Sequence, residues 1–177
     1  LETVKKAIHA VKNGRNSLNA SDISYTQTPI IFRPEQQAAI DKTKKQFKKG
    51  AQMLWNAKMR FGKTLCALRV ARDLEMRRTI ILTHRPVVDE SWFEDFGKIF
   101  YDRTDYHYGS RTELGESVIK ELTKANTKVL KLSGTPFNLL DDYTEEETYT
   151  WDYTMEQRAK TEWDLLHMGD PNPYASL

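Results

Sequence analysis

Gly62, Lys63 and Thr64 follow one another, and these three residue types can together hold a polyphosphate. A lysine ammonium can reach the β- and γ-phosphates, a threonine hydroxyl can ligate Mg²⁺, and a glycine lets the backbone approach the ligand closely. The stretch 57–64 nearly matches a phosphate-binding loop, in which backbone N–H groups and a helix N-terminus face the anion. It comprises Ala57, Lys58, Met59, Arg60, Phe61, Gly62, Lys63 and Thr64. We therefore predict a site for ATP and Mg²⁺ here, with Lys63 and Thr64 as catalytic residues and Thr64 as the metal ligand.

The match is incomplete, because Ala57 stands where the pattern has its first glycine. A Gly-Lys-Thr triplet also occurs by chance, and the alternative is an ordinary turn before a helix. The side chain of Arg60 has two options at this point: contact with phosphate or exposure to solvent. The predicted strand before the loop and the predicted helix after it favour nucleotide binding.

The elements around the loop alternate between strand and helix. Apolar and β-branched runs predict strands at 52–56, 79–83, 105–108 and 128–132. Apolar residues at helical spacing predict helices at 4–11, 35–47, 64–75, 87–100, 113–125 and 145–166. The run at 79–83 suits a strand buried on both faces. This alternation predicts a doubly wound α/β sheet.

Polar residues stand near three other predicted element ends. Gln36, near the start of a predicted helix, has an amide that could bond both an acceptor and a donor on the edge of adenine. The other two groups follow predicted strands and comprise Thr83, His84 and Arg85, and Ser133, Gly134 and Thr135. In open α/β sheets such strand ends line the ligand crevice.

These segments, taken in order over about residues 32–138, resemble superfamily 2 helicases, particularly the motor subunits of type I and type III restriction enzymes. The matched segments are an adenine-sensing motif with Arg33 and Gln36, motif I at 57–64, motif Ia at 83–86 and motif III at 133–136. The resemblance implies a RecA-like P-loop domain, with a mostly parallel sheet and helices on both faces. Many such helicase loops carry a glycine at the position of Arg60.

The same resemblance implies roles for the strand ends. Motif Ia would contact the nucleic-acid backbone through Thr83, His84 and Arg85. Motif III would couple ATP hydrolysis to domain movement through Ser133, Gly134 and Thr135. The implied activity is that of a DNA-dependent ATPase, a helicase or translocase, acting on DNA that is duplex in the restriction setting. Nuclease, modification or specificity domains or subunits are the implied partners.

The acidic motif II of that family, a strand ending in Asp-Glu, has no match in the sequence. Asp89 and Glu90 follow two valines, but their surroundings favour the start of a helix. Ser133 follows Thr83 by only 50 positions, which are too few for the elements expected there. We therefore expect a missing segment near residues 109–113, with its join close to Arg111 and Thr112.

Charge divides the chain into three zones, although the net charge is only +2. Residues 1–50 hold ten Lys and Arg against four Asp and Glu, 51–140 hold fifteen against eleven, and 141–177 hold two against ten. The basic zones could face phosphates, although solvated helix faces explain them equally well. The acidic zone argues against DNA contact there.

These features predict three regions. Residues 1–31 form a helix and linker that enter from an upstream domain, 32–140 form the first motor domain, and 141–177 form an acidic helical extension towards a second motor domain that the sequence lacks. The isolated chain is therefore expected to bind ATP without turning it over. The single cysteine, Cys66, and the absence of a signal-like N-terminus predict a cytoplasmic protein without membrane insertion. The alternatives are a P-loop ATPase or kinase that does not act on nucleic acid, and a non-hydrolysing interaction domain.

Overall fold

The computed structural model describes residues 18–19, 30–83, 89–109 and 126–175. The chain divides into two compact units. Unit 1 comprises Leu1–Ile31 and Ala67–Ala125, and unit 2 comprises Phe32–Cys66 and Asn126–Leu177. The described strands are β1 (Leu18–Asn19), β2 (Gln52–Ala57), β3 (His107–Tyr108), β4 (Val129–Ser133) and β5 (Thr148–Trp151). The described helices are α1 (Pro34–Lys49), α2 (Lys63–Asp73), α3 (Asp89–Phe100), a 3₁₀ turn (Leu140–Asp142) and α4 (Tyr153–Leu166).

Unit 2 contains a three-stranded parallel sheet in the order β4-β2-β5. The central strand β2 is parallel to both neighbours, and its Trp55 lies opposite Leu132 on one side and Tyr149 on the other. Together with the flanking helices, this sheet gives the α/β fold that the sequence predicted. Because parallel strands carry their carboxyl ends at one edge, the residues that follow β2, β4 and β5 lie side by side.

The core of unit 2 forms between β2 and α1. Met53, Leu54 and Trp55 are fully buried in β2, and α1 buries Ala39 and Ile40 at helical spacing. The indole N–H of Trp55 donates to the hydroxyl of Thr43 at 2.8 Å, which satisfies its polar atom inside the core. The predicted helix at 35–47 is confirmed, and Pro34 occupies its first turn, where a missing N–H costs nothing.

The predicted helix at 145–166 is wrong in its first part, because residues Thr148–Trp151 form strand β5. The ammonium of Lys42 in α1 donates to the carbonyls of Glu145 and Thr148, at 2.9 and 2.6 Å, and fixes the start of that strand. The helix begins only after Asp152, whose carboxylate accepts the N–H of Met155 at 2.8 Å. Pairing with β2 therefore overrides the helical tendency of this segment.

Unit 1 contains α3 and a short antiparallel pair of β1 with β3, in which Leu18 lies opposite Tyr108. One face of α3 carries an aromatic cluster: Phe96 stacks on Phe100 at 4.9 Å between ring centroids, and Tyr108 packs on Phe96 at 5.5 Å. The helix predicted at 87–100 is confirmed from Asp89 onward. The pairing of Leu18 was not expected, because the surrounding sequence has the composition of a linker.

The strand predicted at 79–83 is wrong, because these residues have no regular secondary structure. Ile80 and Leu82 are about half exposed, at 48% and 51%. Among the described residues no strand pairs with this run, and a strand persists only where a neighbour satisfies its backbone.

Several predictions fall on residues outside the described ranges. They include the helices at 4–11 and 113–125 and the expected join at Arg111 and Thr112. The three-region division of the chain remains a prediction. In the part of the chain that is described, no helix is long and apolar enough to cross a membrane.

Candidate phosphate-binding site

The carboxyl edge of the unit 2 sheet brings together the residues that follow three strands. At the end of β2, Asn56 lies opposite Ser133 of β4, and Ala57 lies opposite Trp151 of β5. The loop at 57–62 begins at this point and leads directly into α2, whose first residue is Lys63. The structure thus has the strand, loop and helix order that phosphate binding requires.

The side chain of Lys63 folds back over the loop. Its ammonium donates to the carbonyl oxygens of Ala57 at 2.7 Å and Lys58 at 2.9 Å. Burial lowers the pKa of this ammonium below its ordinary value, because leaving water disfavours the charged form. Both of these acceptors are neutral, so an anion placed beside the half-buried ammonium would stabilise its charged form. The geometry therefore suits an ammonium that can exchange its bonds to the loop carbonyls for bonds to a phosphate.

Phe61 packs the loop against the rest of unit 2 through its ring and its backbone carbonyl. Its ring is buried against Trp55, with the two centroids 6.2 Å apart, and its carbonyl accepts the amide N–H of Gln36 at 2.7 Å. The guanidinium of Arg33 donates to the same carbonyl at 3.1 Å. The side chain of Phe61 is thus a core residue, and its role in the loop is carried by its backbone.

Position 62 requires a glycine, because of its backbone conformation and because of the side chain packed beside it. Its φ of +86° lies in the left-handed region, and a Cβ built there would approach the amide nitrogen of Gln36 to 2.7 Å. A larger residue would displace the amide and strain the backbone. The glycine therefore allows a close packing of the loop against the start of α1.

The tip of the loop lies in solvent. Met59 is 82% exposed, and Arg60 is also exposed. Arg60 has a φ of +64°, a conformation that glycine adopts without strain and that other residues adopt rarely. This backbone conformation explains physically why a glycine suits the position.

Gln36, the predicted contact for adenine, has both ends of its amide engaged. Its oxygen accepts the backbone N–H of Arg33 at 2.9 Å, and its nitrogen donates to Phe61. The guanidinium of Arg33 also pairs with the buried Glu35 at 2.5 Å. These contacts place the predicted adenine-sensing residues directly against the loop, and their role in binding adenine remains a prediction.

The residues predicted for coupling lie beside the start of the loop. Ser133 ends β4, and its hydroxyl accepts the N–H of Thr135 at 3.1 Å. A Cβ built at Gly134 would lie 3.5 Å from the carbonyl of Ala57, an ordinary contact distance. The sheet therefore brings two distant sequence segments together, as expected for strand ends in a parallel sheet.

A family model described as Type III restriction enzyme, res subunit, matches residues 29–130. The chain belongs to this family. No curated protein and no solved structure matches it. Membership identifies a helicase-like, ATP-binding motor domain of the P-loop class and implies ATPase or helicase activity in general.

Other residues assigned through the resemblance to res-subunit motors are less completely described. Thr83 is exposed at the end of the irregular run, while His84 and Arg85 lie outside the described residues. Asp89 begins α3, which confirms that Asp89 and Glu90 start a helix and do not end a strand.

The residues at the start of α2 fit what the res-subunit family implies for its metal. The family usually uses Mg²⁺ with the nucleotide. A threonine hydroxyl on the first helical turn is a hard oxygen ligand of the kind Mg²⁺ takes, and Thr64 is half-buried there beside Lys63. The Lys63 ammonium, which the carbonyls of Ala57 and Lys58 hold at the same end of α2, supplies a cation for the phosphates that such a metal accompanies. When bound, the metal would neutralise charge on the phosphates.

One contact of the loop was not foreseen from the sequence. The ammonium of Lys58 pairs with the carboxylate of Glu156 in α4 at 2.6 Å, and Glu156 is only 3% exposed. The ring of Tyr153 lies 5.7 Å from the same ammonium. Nothing in the sequence distinguishes Glu156 from the other acidic residues of its zone, so this contact emerges only from the fold.

Proposed function

We propose that this chain is the ATP-binding first motor domain of a DNA-dependent ATPase, a helicase or translocase of a restriction-modification or related DNA-processing protein. The observation that carries the proposal is the position of the Lys63 ammonium, held by the carbonyls of Ala57 and Lys58 at the N-terminus of α2. A desolvated cation next to a helix N-terminus favours a polyphosphate.

In this proposal Lys63 binds the β- and γ-phosphates and Thr64 binds Mg²⁺. The loop from Ala57 to Gly62 encloses the phosphates with its backbone, while Arg33 and Gln36 recognise adenine. Thr83, His84 and Arg85 contact the DNA backbone, and Ser133, Gly134 and Thr135 couple hydrolysis to movement. Hydrolysis requires a second motor domain, because charge on the transferred phosphoryl group is stabilised from both sides.

Calorimetric titration with ATP and Mg²⁺ tests the nucleotide site. We expect Lys63→Ala to weaken binding about a hundredfold, because an ammonium that contacts phosphate makes strong charge-assisted bonds. Lys128→Ala is the matched control, since the Lys128 ammonium also donates to a backbone carbonyl, that of Gly50, at 2.8 Å. That control should bind as wild type does. Equal affinities in wild type and Lys63→Ala would contradict the proposal.

ATPase rates of the intact protein test the DNA-dependent part. We expect duplex DNA to stimulate hydrolysis above the rates with single-stranded DNA or none, and we expect this chain alone to bind ATP without rapid turnover. Equal rates with and without DNA would instead support an ATPase that does not act on nucleic acid. Absence of ATP binding would support an interaction domain.

A further inference from the structure

Glu156 is a buried acid that reaches the phosphate loop from outside it. It lies in the first turns of α4, is 3% exposed, and its carboxylate accepts the Lys58 ammonium at 2.6 Å. A buried carboxylate is costly unless it is paired, so this contact is a fixed part of the fold rather than a transient surface pair. Glu162, further along α4, is exposed.

Lys58 connects that carboxylate to the lysine of the site. Its backbone N–H donates to the carbonyl of Trp151 at 3.0 Å, and its own carbonyl accepts the Lys63 ammonium at 2.9 Å. The N–H of Phe61 donates to the same carbonyl at 3.4 Å. The residue that holds Lys63 in place is therefore itself held at its backbone by β5 and at its side chain by α4.

The position of Glu156 is set by the start of α4. Asp152 caps the helix through the N–H of Met155, and Trp151 immediately before it belongs to β5. The carbonyl of Trp151 is also the acceptor for the Lys58 N–H. One short segment therefore contacts Lys58 twice, through the backbone carbonyl of Trp151 and through the buried carboxylate of Glu156.

We propose that Glu156 is a positioning residue that orders the phosphate loop through Lys58, so that α4 sets the affinity of the loop for phosphate. An ordered loop binds more tightly because its conformational entropy is lost before the ligand arrives. The effect on affinity rests on the proposed nucleotide function. The effect on loop order can be observed without nucleotide.

The test compares Glu156→Met and Glu156→Gln with the matched control Glu162→Met. Glu156→Met removes the carboxylate and leaves no buried charge, and Lys58, whose side chain is 25% exposed, can turn to water. Glu156→Gln keeps an acceptor oxygen but loses the charge, which weakens the bond to the ammonium. Amide hydrogen exchange without nucleotide, affinity for ATP with Mg²⁺, and denaturant unfolding are measured on each.

In Glu156→Met we expect faster exchange confined to residues 57–62 and ATP binding weakened about tenfold. Glu156→Gln should fall between that variant and wild type, and Glu162→Met should match wild type in loop exchange, ATP affinity and unfolding. Unchanged loop exchange in Glu156→Met, or faster exchange spread evenly over the sheet, would overturn the proposal. A wild-type chain that binds no ATP would overturn the nucleotide function, while the exchange measurement would still decide whether Glu156 orders the loop.

Discussion

Two apolar runs of similar composition differ in structure: one forms a buried strand and the other has no regular secondary structure. Strand β2 (Gln52–Ala57) lies between two parallel neighbours, and its Leu54 is fully buried. The run at 79–83, which is richer in β-branched residues, forms no strand, and its Leu82 is 51% exposed. Local preference for strand was therefore stronger where the strand failed to form.

The difference teaches that pairing decides whether a strand exists. Leu54, Trp55 and Asn56 of β2 have partners on both sides, and Leu54 lies opposite Lys131 and Thr148. Backbone groups in an unpaired run must turn to water, which removes the advantage of an extended chain. The candidate phosphate site also depends on this pairing, because its loop starts at the carboxyl end of the paired strand β2.

The largest expected effect comes from truncating the same residue type in the two runs. Leu54→Ala should lower the free energy of unfolding by about 2–5 kcal/mol, since it leaves a cavity in a close-packed core. Leu82→Ala should lower it by about 0.5 kcal/mol or less, because half of that side chain already meets water. Denaturant unfolding of both variants measures the contrast. Similar losses would mean that 79–83 is packed as tightly as β2.

A second contrast, between two glycines with positive φ, tests how much the close packing of Gln36 against Gly62 contributes to stability. Gly62→Ala should cost about 1–3 kcal/mol for the backbone conformation, with the displacement of Gln36 added. Gly169 has a φ of +96° and no atom within 4 Å of a built Cβ, so Gly169→Ala should lose only the conformational part. Thermal unfolding compares them. A smaller loss at Gly62 than at Gly169 would contradict the packing of the Gln36 amide against the loop.

The smallest effect concerns an exposed ion pair of unit 1. The Arg103 guanidinium, 2.7 Å from Asp105, lowers the pKa of that carboxyl from 3.8 to about 2. Because the folded pKa lies below the ordinary value, the pair stabilises the fold above about pH 4, and this contribution is lost as the pH falls towards 2. Solvent screens the pair, so the contribution is small.

Asp105→Asn should therefore lose slightly less thermal stability than wild type on acidification from pH 4 to pH 2. The difference should shrink at high salt, where exposed charges are screened. Melting curves at both pH values, in low and high salt, measure it. A larger loss in Asp105→Asn than in wild type would show that the sign is wrong.

Much of the site was predictable from local pattern. The sequence before Gly62 favours a strand and the sequence after it a helix, and both form, so the loop at 57–62 has its expected setting. The failures have physical causes. The spacing of apolar residues over 145–166 predicts one continuous helix, and only the partner strand and the contact from Lys42 make Thr148–Trp151 strand β5.

The sequence by itself determined the α/β class, the parallel sheet, and the loop with Gly62, Lys63 and Thr64, because these depend on the order and spacing of nearby residues. Tertiary structure alone decided which apolar run became a strand, since pairing depends on residues far away in the chain. It also decided that Phe61 would anchor the loop and that Glu156 would meet Lys58. The contact between Glu156 and Lys58 spans about a hundred residues and leaves no local signal, because the two become neighbours only when the sheet forms.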